Sequence, residues 1–521
     1  MNQQRLLSTA ADLTPRAEGD LPTINDLRYV APDQTGTAYN GKKYLTLDGA
    51  VDNLTRTGGM WQVHGDNTIT YSFLDRAPTG QYNSDPYLVG LTAEFSPFNA
   101  EQRDAARASI QLWDDLIAPK FVEKNGRGAD ILFMNTGEGG PGQAAAFIPD
   151  YKGKYGKING DVYVNAGQDD NFDLYYGGYG QTALTHEIGH AIGLSHTGDY
   201  NASDDNNGDG KPDPITYAND AEFFQDTYQY SIMSYFSHAN SGATGYVNWA
   251  TGGYYQTPQT PMIHDIAAVQ EVYGADLTTR TGDTTYGFNA SASLKGGVYD
   301  FSLNQNPFLS IYDAGGNNDT LDLSGFVAPT VLDLRPGAFS TGYTYGDAAQ
   351  LNEVWGTDFD QAFWNAIYDG RTSNPGFLSE NIGIAYNTII ENGVTGAGDD
   401  VLQGNNVANK LNGGAGNDTY TGGLGNDIFI IANAGGTDKI TDFVRGQDKL
   451  DFTAFDPSSA KGDQAMTFIG DAAFGKHAGE VRTYVDGTGM NIVAGDLDGD
   501  GVADFVVNLG QVHLTSSDIL L

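Results

Sequence analysis

The chain has 521 residues, 66 Asp and Glu against 27 Lys and Arg, a net charge of −39, and no cysteine. That balance excludes nucleic acid and anionic membrane as partners, suits divalent cations, and leaves packing or metal rather than disulfides to stabilise the fold. No apolar run approaches the roughly 20 residues of a membrane helix, and the length allows two domains, each with its own core.

Residues 1–38 are polar and irregular, with scattered Pro and Gly, and are expected to form a flexible leader. Met1-Asn2-Gln3-Gln4-Arg5-Leu6-Leu7 lacks the apolar core of a secretory signal peptide, which on its own points to the cytosol. A first domain is expected over 39–275, its compact pattern beginning near Tyr44. Asn67 to Phe73 alternates, with Ile69, Tyr71 and Phe73 on one face of a strand. Residues 99–117, around Ala105, Ile110, Leu112, Trp113 and Leu116, have the spacing of an amphipathic helix. Ala129 to Met134 and Gly160 to Asn165 read as further strands, the second short and bounded by polar residues.

A helix expected over 182–194 leads into His186-Glu187-Ile188-Gly189-His190-Ala191-Ile192-Gly193-Leu194-Ser195-His196. His186 and His190 lie four apart, so they share a helix face and can grip one metal ion. Gly193 lets the backbone turn out of the helix and bring His196 back as a third ligand. Zinc with three protein ligands and an open fourth position is the catalytic arrangement, and Glu187 is placed to reach a water there. Downstream, Asp205-Asn206-Asn207-Gly208-Asp209-Gly210-Lys211-Pro212-Asp213 has the order that opens an EF-hand-type loop, with Thr216 at the twelfth position instead of Glu. Asp205, Asn207, Asp209 and Asp213 are its candidate calcium ligands; a solvated acidic turn is the alternative. Ser231-Ile232-Met233-Ser234-Tyr235 follows, and a helix near Met262 to Tyr273 closes the domain.

From 276 to 521 the texture changes to Gly, Asn, Asp and Thr with a nine-residue period. The segments starting at Gly413 and Gly422 fit G-G-x-G-x-D-x-U-x, where U is large and apolar, and weaker copies start at Thr395 and Gly404. In such repeats glycines make the turn, carbonyls and aspartates of adjacent turns share Ca2+, and U points into a thin core. The candidate ligands are Gly396, Gly398, Asp400, Gly413, Gly414, Gly416, Asp418, Gly422, Gly423, Gly425 and Asp427. A flexible linker would carry neither the period nor the regularly placed apolar residue. Asp496, Asp498, Asp500 and Asp504 repeat the EF-hand-type order near the C-terminus and are further candidates.

Together these motifs resemble the serralysins, secreted bacterial zinc proteases of the metzincin clan, over about residues 40–521. The resemblance implies an α+β metzincin zinc-protease domain followed by an all-β parallel β-roll, the RTX domain. Met233 matches the methionine beneath the metal and Tyr235 the tyrosine beside it. One catalytic Zn2+ is then held by His186, His190 and His196, with Tyr235 a further ligand at rest. Glu187 acts as the base, and Tyr235 steadies the tetrahedral intermediate. The strand Gly160 to Asn165 would be the edge strand along the cleft, where an extended substrate adds to the sheet. Calcium ligands between the domains are implied at Arg280, Gly282, Thr284, Asp313, Gly315 and Asp319, and another at Glu391. Ser517-Asp518-Ile519-Leu520-Leu521 resembles the ending of proteins exported by type I, ABC-type channels, which would make the leader a propeptide and the protein extracellular. A monomer is expected.

Three departures from the family pattern carry expectations of their own. Thr197 replaces the usual proline after the third histidine, so the exit from the zinc helix is expected to be less rigid. Gly315-Gly316-Asn317-Asn318-Asp319 has one asparagine more than the usual loop. The segment 341–379 is long and aromatic-rich (Trp355, Phe359, Phe363, Trp364, Tyr368, Phe377), suited to packing on the roll or to a binding surface. The reading is a zinc endopeptidase acting on extracellular proteins and stabilised by calcium. A calcium-dependent adhesin with a vestigial protease domain and a processing protease of narrow specificity remain as alternatives.

Overall fold

The computed structural model describes residues 29–521 other than 64, 81, 83–84, 138–139, 151–157, 202–212, 244–256, 328, 343–377 and 458–464. Asp205, Asn207 and Asp209, and the aromatic residues Trp355 to Phe377, lie outside the described residues. Residues 29–38, expected to belong to a flexible leader, instead pack against the protein. Val30 and Ala38 are buried, the Leu47 N–H donates to the Pro32 carbonyl at 2.7 Å, and the Arg335 guanidinium sits 4.3 Å over the Tyr29 ring. A polar stretch needs only two small apolar anchors to dock, and no periodicity reveals them.

The helix α1, Leu47–Leu54, starts where the Thr46 hydroxyl accepts the Gly49 N–H, and the strand β1, Thr68–Phe73, follows. Asp85 caps α2, Pro86–Ala93, which opens on a proline. Asn99 and Gln102 form a reciprocal capping box on α3, Ala100–Asp114. Next come β2, Lys120–Glu123, β3, Ile131–Thr136, β4, Ala144–Ala146, and β5, Val162–Asn165. They are followed by α4, Tyr179–Ala191, the short α5, Tyr217–Asp220, and α6, Ile263–Tyr273.

The five strands form one sheet in the order β2-β1-β3-β5-β4, parallel except for β4. Both faces are covered, which explains why β3 and β5 are buried throughout. Ile69, Phe133 and Val162 pack toward Trp113 of α3 and Ile188 of α4. Leu132 and Met134 pack on the other face with Leu88 and Leu91 of α2. The strand expected to form the edge, Gly160 to Asn165, is therefore interior, and the antiparallel edge is β4. Three alanines give no alternation to read, and the polar residues flanking β5 mark turns rather than an open side.

Beyond residue 285 the chain coils into a seven-stranded and an eight-stranded sheet, with a three-stranded sheet of Leu309–Ile311, Phe339–Ser340 and Ile382–Ile384 beside them. Val401–Gln403 pairs with Thr419–Thr421, and Lys410–Asn412 with Ile428–Ile430, both parallel and 18 residues apart. Two nine-residue repeats therefore make one turn, alternate strands entering opposite sheets. The four U positions, Leu402, Leu411, Tyr420 and Phe429, are 0–1 % exposed and share one core. The parallel pattern breaks near the end, where Glu480–Val485, Asn491–Asp496 and Phe505–Asn508 pair antiparallel. A smaller core joins the two halves, made by Val30, Ala38, Phe224, Tyr230, Met262, Ile263, Phe308 and Phe339. Among the described residues no helix is long and apolar enough to cross a membrane.

Candidate metal centre

The helix α4 is anchored from behind by α3. The Trp113 indole N–H donates to the Thr185 carbonyl at 3.0 Å, and the Gln181 amide donates to the Ala105 carbonyl at 3.0 Å. The chain turns away from the helix at Gly193, just past its end at Ala191; the φ of Gly193 is +118°, and a Cβ there would stand 2.1 Å from the Gly59 carbonyl oxygen. Both the left-handed backbone and the close approach require glycine. Gly193→Ala is expected to cost ~1–3 kcal/mol in backbone strain alone. Melting the variant and titrating its zinc with a competing chelator should show a lower Tm and an affinity reduced at least tenfold.

The turn at Gly193 brings three imidazoles together. His190 Nε2 lies 3.1 Å from that of His186 and 3.0 Å from that of His196. Each Nδ1 faces a backbone carbonyl: His186 that of Ile232 at 2.8 Å, His190 that of Leu194 at 2.7 Å, His196 that of Tyr200 at 3.0 Å. A carbonyl only accepts, so each Nδ1 carries the proton and each Nε2 presents a lone pair. Burial keeps the rings neutral, pushing His186 down to about 4, His196 to about 3 and His190 well below its usual value. Three lone pairs converging at this distance repel one another unless a cation lies among them. Neutral nitrogen donors in this number fit zinc.

Glu187 is buried beside them. One of its oxygens accepts the Ala146 N–H of the edge strand, while Oε2 is buried with no hydrogen-bond partner. Burial pushes its carboxyl up to about 8, and a cation among the histidines would draw it back down. The Tyr235 ring lies 4.4 Å from that of His196 and 6.1 Å from that of His186, centroid to centroid. Met233 is fully buried; a Cβ on Gly189 would stand 2.7 Å from its sulfur. The methionine thus packs on α4 between the turns that carry His186 and His190.

Several groups that support the site are neither metal ligands nor the base. Buried Asp265 accepts the Ile232 N–H at 2.7 Å, the Ser231 hydroxyl at 2.6 Å and the Met262 N–H at 2.8 Å, tying the turn that holds His186 to the start of α6. An acidic residue within the apolar run after Pro261 is the signal that marks it. Thr197, expected to loosen the exit from α4, is buried and donates to Asp226. Side-chain hydrogen bonds hold that exit in place of a proline ring.

The repeat residues form a ladder. The Asp400 N–H donates to Asp418 Oδ1 at 2.9 Å, and Asp418 and Asp427 donate to Asp438 and Asp448 at 3.0 Å each. Asp438 and Asp448 fall outside the nine-residue frame and were not among the expected ligands. Gly396 and Gly398 abut Gly414 and Gly416 of the next turn: a Cβ on Gly416, at φ +135°, would stand 2.1 Å from the Gly398 carbonyl oxygen. Gly423 and Gly425 meet the carbonyls of Asn405 and Val407, while Gly413 and Gly422 lie against the carboxylates of Asp418 and Asp427. Burial, then neighbouring carboxylates, pushes Asp400 up to about 7 and Asp418 to about 8.

Between the halves, Asp319 Oδ1 accepts the Thr284 N–H at 2.7 Å and Glu391 Oε2 accepts the Asp319 N–H at 2.8 Å. The Thr284 hydroxyl donates to the Gly282 carbonyl, and the Gly315 N–H to Asp313. The Arg280 guanidinium is engaged by Asp115 at 2.7 Å and by the Tyr312 carbonyl, so only its main chain could serve a cation. Oδ2 of Asp319 and of Asp400 is buried without a hydrogen-bond partner. Carboxylate oxygens of Asp496, Asp498 and Asp504 gather within 4.8 Å on a hairpin turn; Asp500 is not one of that group and accepts the Val502 N–H. Asp213 joins no group of three metal-binding side chains among the described residues.

The family described as "Peptidase M10 serralysin C terminal" matches residues 275–348 and 357–521. The chain is 37 % identical over 509 residues to a protein named "Metalloprotease AprA" from Pseudomonas entomophila, covering 93 % of this chain and 92 % of that one. It is 36 % identical over 515 residues to "Metallopeptidase AprA" of Pseudomonas marginalis, covering 92 % of each. It is 33 % identical over 503 residues to "Serralysin G" of Dickeya chrysanthemi, again covering 92 % of each.

Proposed function

Because the chain belongs to the serralysin family and is a zinc metalloendopeptidase, we propose that His186, His190 and His196 hold its zinc and that Glu187 is its general base. The observation that carries this reading is the meeting of three Nε2 lone pairs, that of His190 3.0–3.1 Å from the other two, beside a buried carboxylate oxygen with no partner. When bound, zinc supplies a Lewis acid that polarises a carbonyl and acidifies a water. Glu187 takes the proton of the attacking water on Oε2 and delivers it to the leaving amine. The Ala146 N–H fixes the carboxyl by its other oxygen. Tyr235 donates its hydroxyl to the oxyanion, and Met233 shapes the floor without taking part. An extended substrate adds to the antiparallel edge β4, beside Glu187.

The remaining parts of the reading rest on the ladder and the family. Ca2+ neutralises the stacked aspartates of the roll and the cluster of Asp313, Asp319 and Glu391. The chain divides into a catalytic part, 39–275, and a roll, 276–521. It is exported through a type I, ABC-type channel and acts outside the cell as a monomer on proteins, after loss of an N-terminal propeptide.

The test is casein hydrolysis by purified protein in millimolar calcium, with and without 1,10-phenanthroline. Activity should vanish with the chelator and return with added zinc. No hydrolysis by zinc-loaded, calcium-folded protein would rule out a protease of broad specificity.

A further inference from the structure

We propose that Asp226 is a positioning residue of the catalytic centre, holding the loop after His196 and the turn around Met233 in one geometry through a single carboxylate oxygen. The proposal rests on the zinc-protease reading above. Asp226 is fully buried. Its Oδ1 accepts three hydroxyls, those of Thr197, of Tyr200 at 2.8 Å and of Ser234 at 2.8 Å. Thr197 and Tyr200 lie on the loop that follows the third histidine; Ser234 stands between Met233 and Tyr235. Hydrogen bonds to a charged acceptor are roughly twice as strong as neutral ones, so three on one oxygen make a stiff joint.

Tyr200 transmits that joint to the reacting groups. Its carbonyl accepts the His196 Nδ1 proton at 3.0 Å, and its ring stacks on His196 with centroids 5.8 Å apart and planes 12° apart. The same ring lies 5.2 Å from that of Tyr235, whose N–H donates to the Tyr200 hydroxyl at 3.4 Å. From outside, the Arg56 guanidinium donates to the carbonyls of His196 and Gly198. The loop is clamped on both sides, and a shift of Tyr200 would move a histidine ligand and Tyr235 together.

Four variants test this: Asp226→Asn, Tyr200→Phe, Thr197→Val and Ser234→Ala. Each is measured for zinc affinity by chelator competition, for kcat and KM on a peptide, and for Tm. Asp226→Asn and Tyr200→Phe should lower kcat roughly 10–100-fold at little-changed KM and weaken zinc binding about tenfold or more. Thr197→Val and Ser234→Ala should fall between these and the parent. A lower Tm with unchanged zinc affinity and unchanged kcat in the folded protein would overturn the proposal, leaving Asp226 a packing residue. If Asp226→Asn does not fold, Tyr200→Phe and Thr197→Val decide, since each loses the hydroxyl while keeping the side chain's shape. Should the parent protein fail to cleave any peptide, the protease reading falls, and the zinc affinities still decide the role of Asp226.

Discussion

Glu187→Gln is expected to leave zinc bound and abolish nearly all turnover. The amide matches the carboxylate in shape, and its carbonyl oxygen can still accept the Ala146 N–H that orients the side chain. What it loses is the ability to receive a proton on the inner atom. General-base contributions are worth about 10²–10⁴-fold, so kcat should drop by that order while zinc content stays near one per chain. Glu187→Ala should behave alike, with a small cavity added. Equal loss of zinc and turnover in both variants would show that the substitutions broke the site, and the assignment of Glu187 as base would lose its support.

Calcium removal should have a comparable effect on the roll, with a sign set by pH. Asp418 stands at about 8, Asp400 at about 7, and Asp427 and Asp438 at about 6, all raised chiefly by burial. A carboxyl raised in the folded state binds its proton more tightly there than in the unfolded chain, where its value is near 4. Its contribution is fully present below pH 4 and is lost as pH rises through about 6 to 8. Each such group is worth on the order of a few kcal/mol, and the ladder stacks several. Calcium-free protein should therefore melt at a much lower temperature at pH 8 than at pH 5, and millimolar calcium should remove most of that difference. Far-UV circular dichroism melts with and without EGTA would show it. Equal melting at both pH values without calcium would mean that cations do not hold the ladder.

What could be read in the sequence was whatever repeats at short range. Three histidines within eleven residues, and an apolar residue every nine, each describe a geometry that local backbone imposes. Groups whose partners lie far along the chain had no such signal. Asp226 meets Thr197 across 29 residues and Asp265 meets Ile232 across 33, and nothing local marks either pairing. Thr197 was misjudged for the same reason, since its rigidity comes from Asp226 rather than from its own backbone. The edge of the sheet was misplaced because pairing, not composition, decides which strand lies outermost, and Ala144–Ala146 has no side chain large enough to announce a face. Asp438 and Asp448 escaped because the chain between ladder rungs lengthens beyond the repeat while the rungs stay in register.

The core that joins the two halves draws residues from 30 to 38, from 224 to 263 and from 308 to 339. Neither half can be excised without stripping the other of part of its interior. A grafted catalytic portion taken at residue 275 would expose Phe224, Tyr230, Met262 and Ile263 to water and invite aggregation. Any chimera that transplants this protease onto a different scaffold must carry the opening segment from Tyr29 and the patch around Phe308 and Phe339 as part of the same graft.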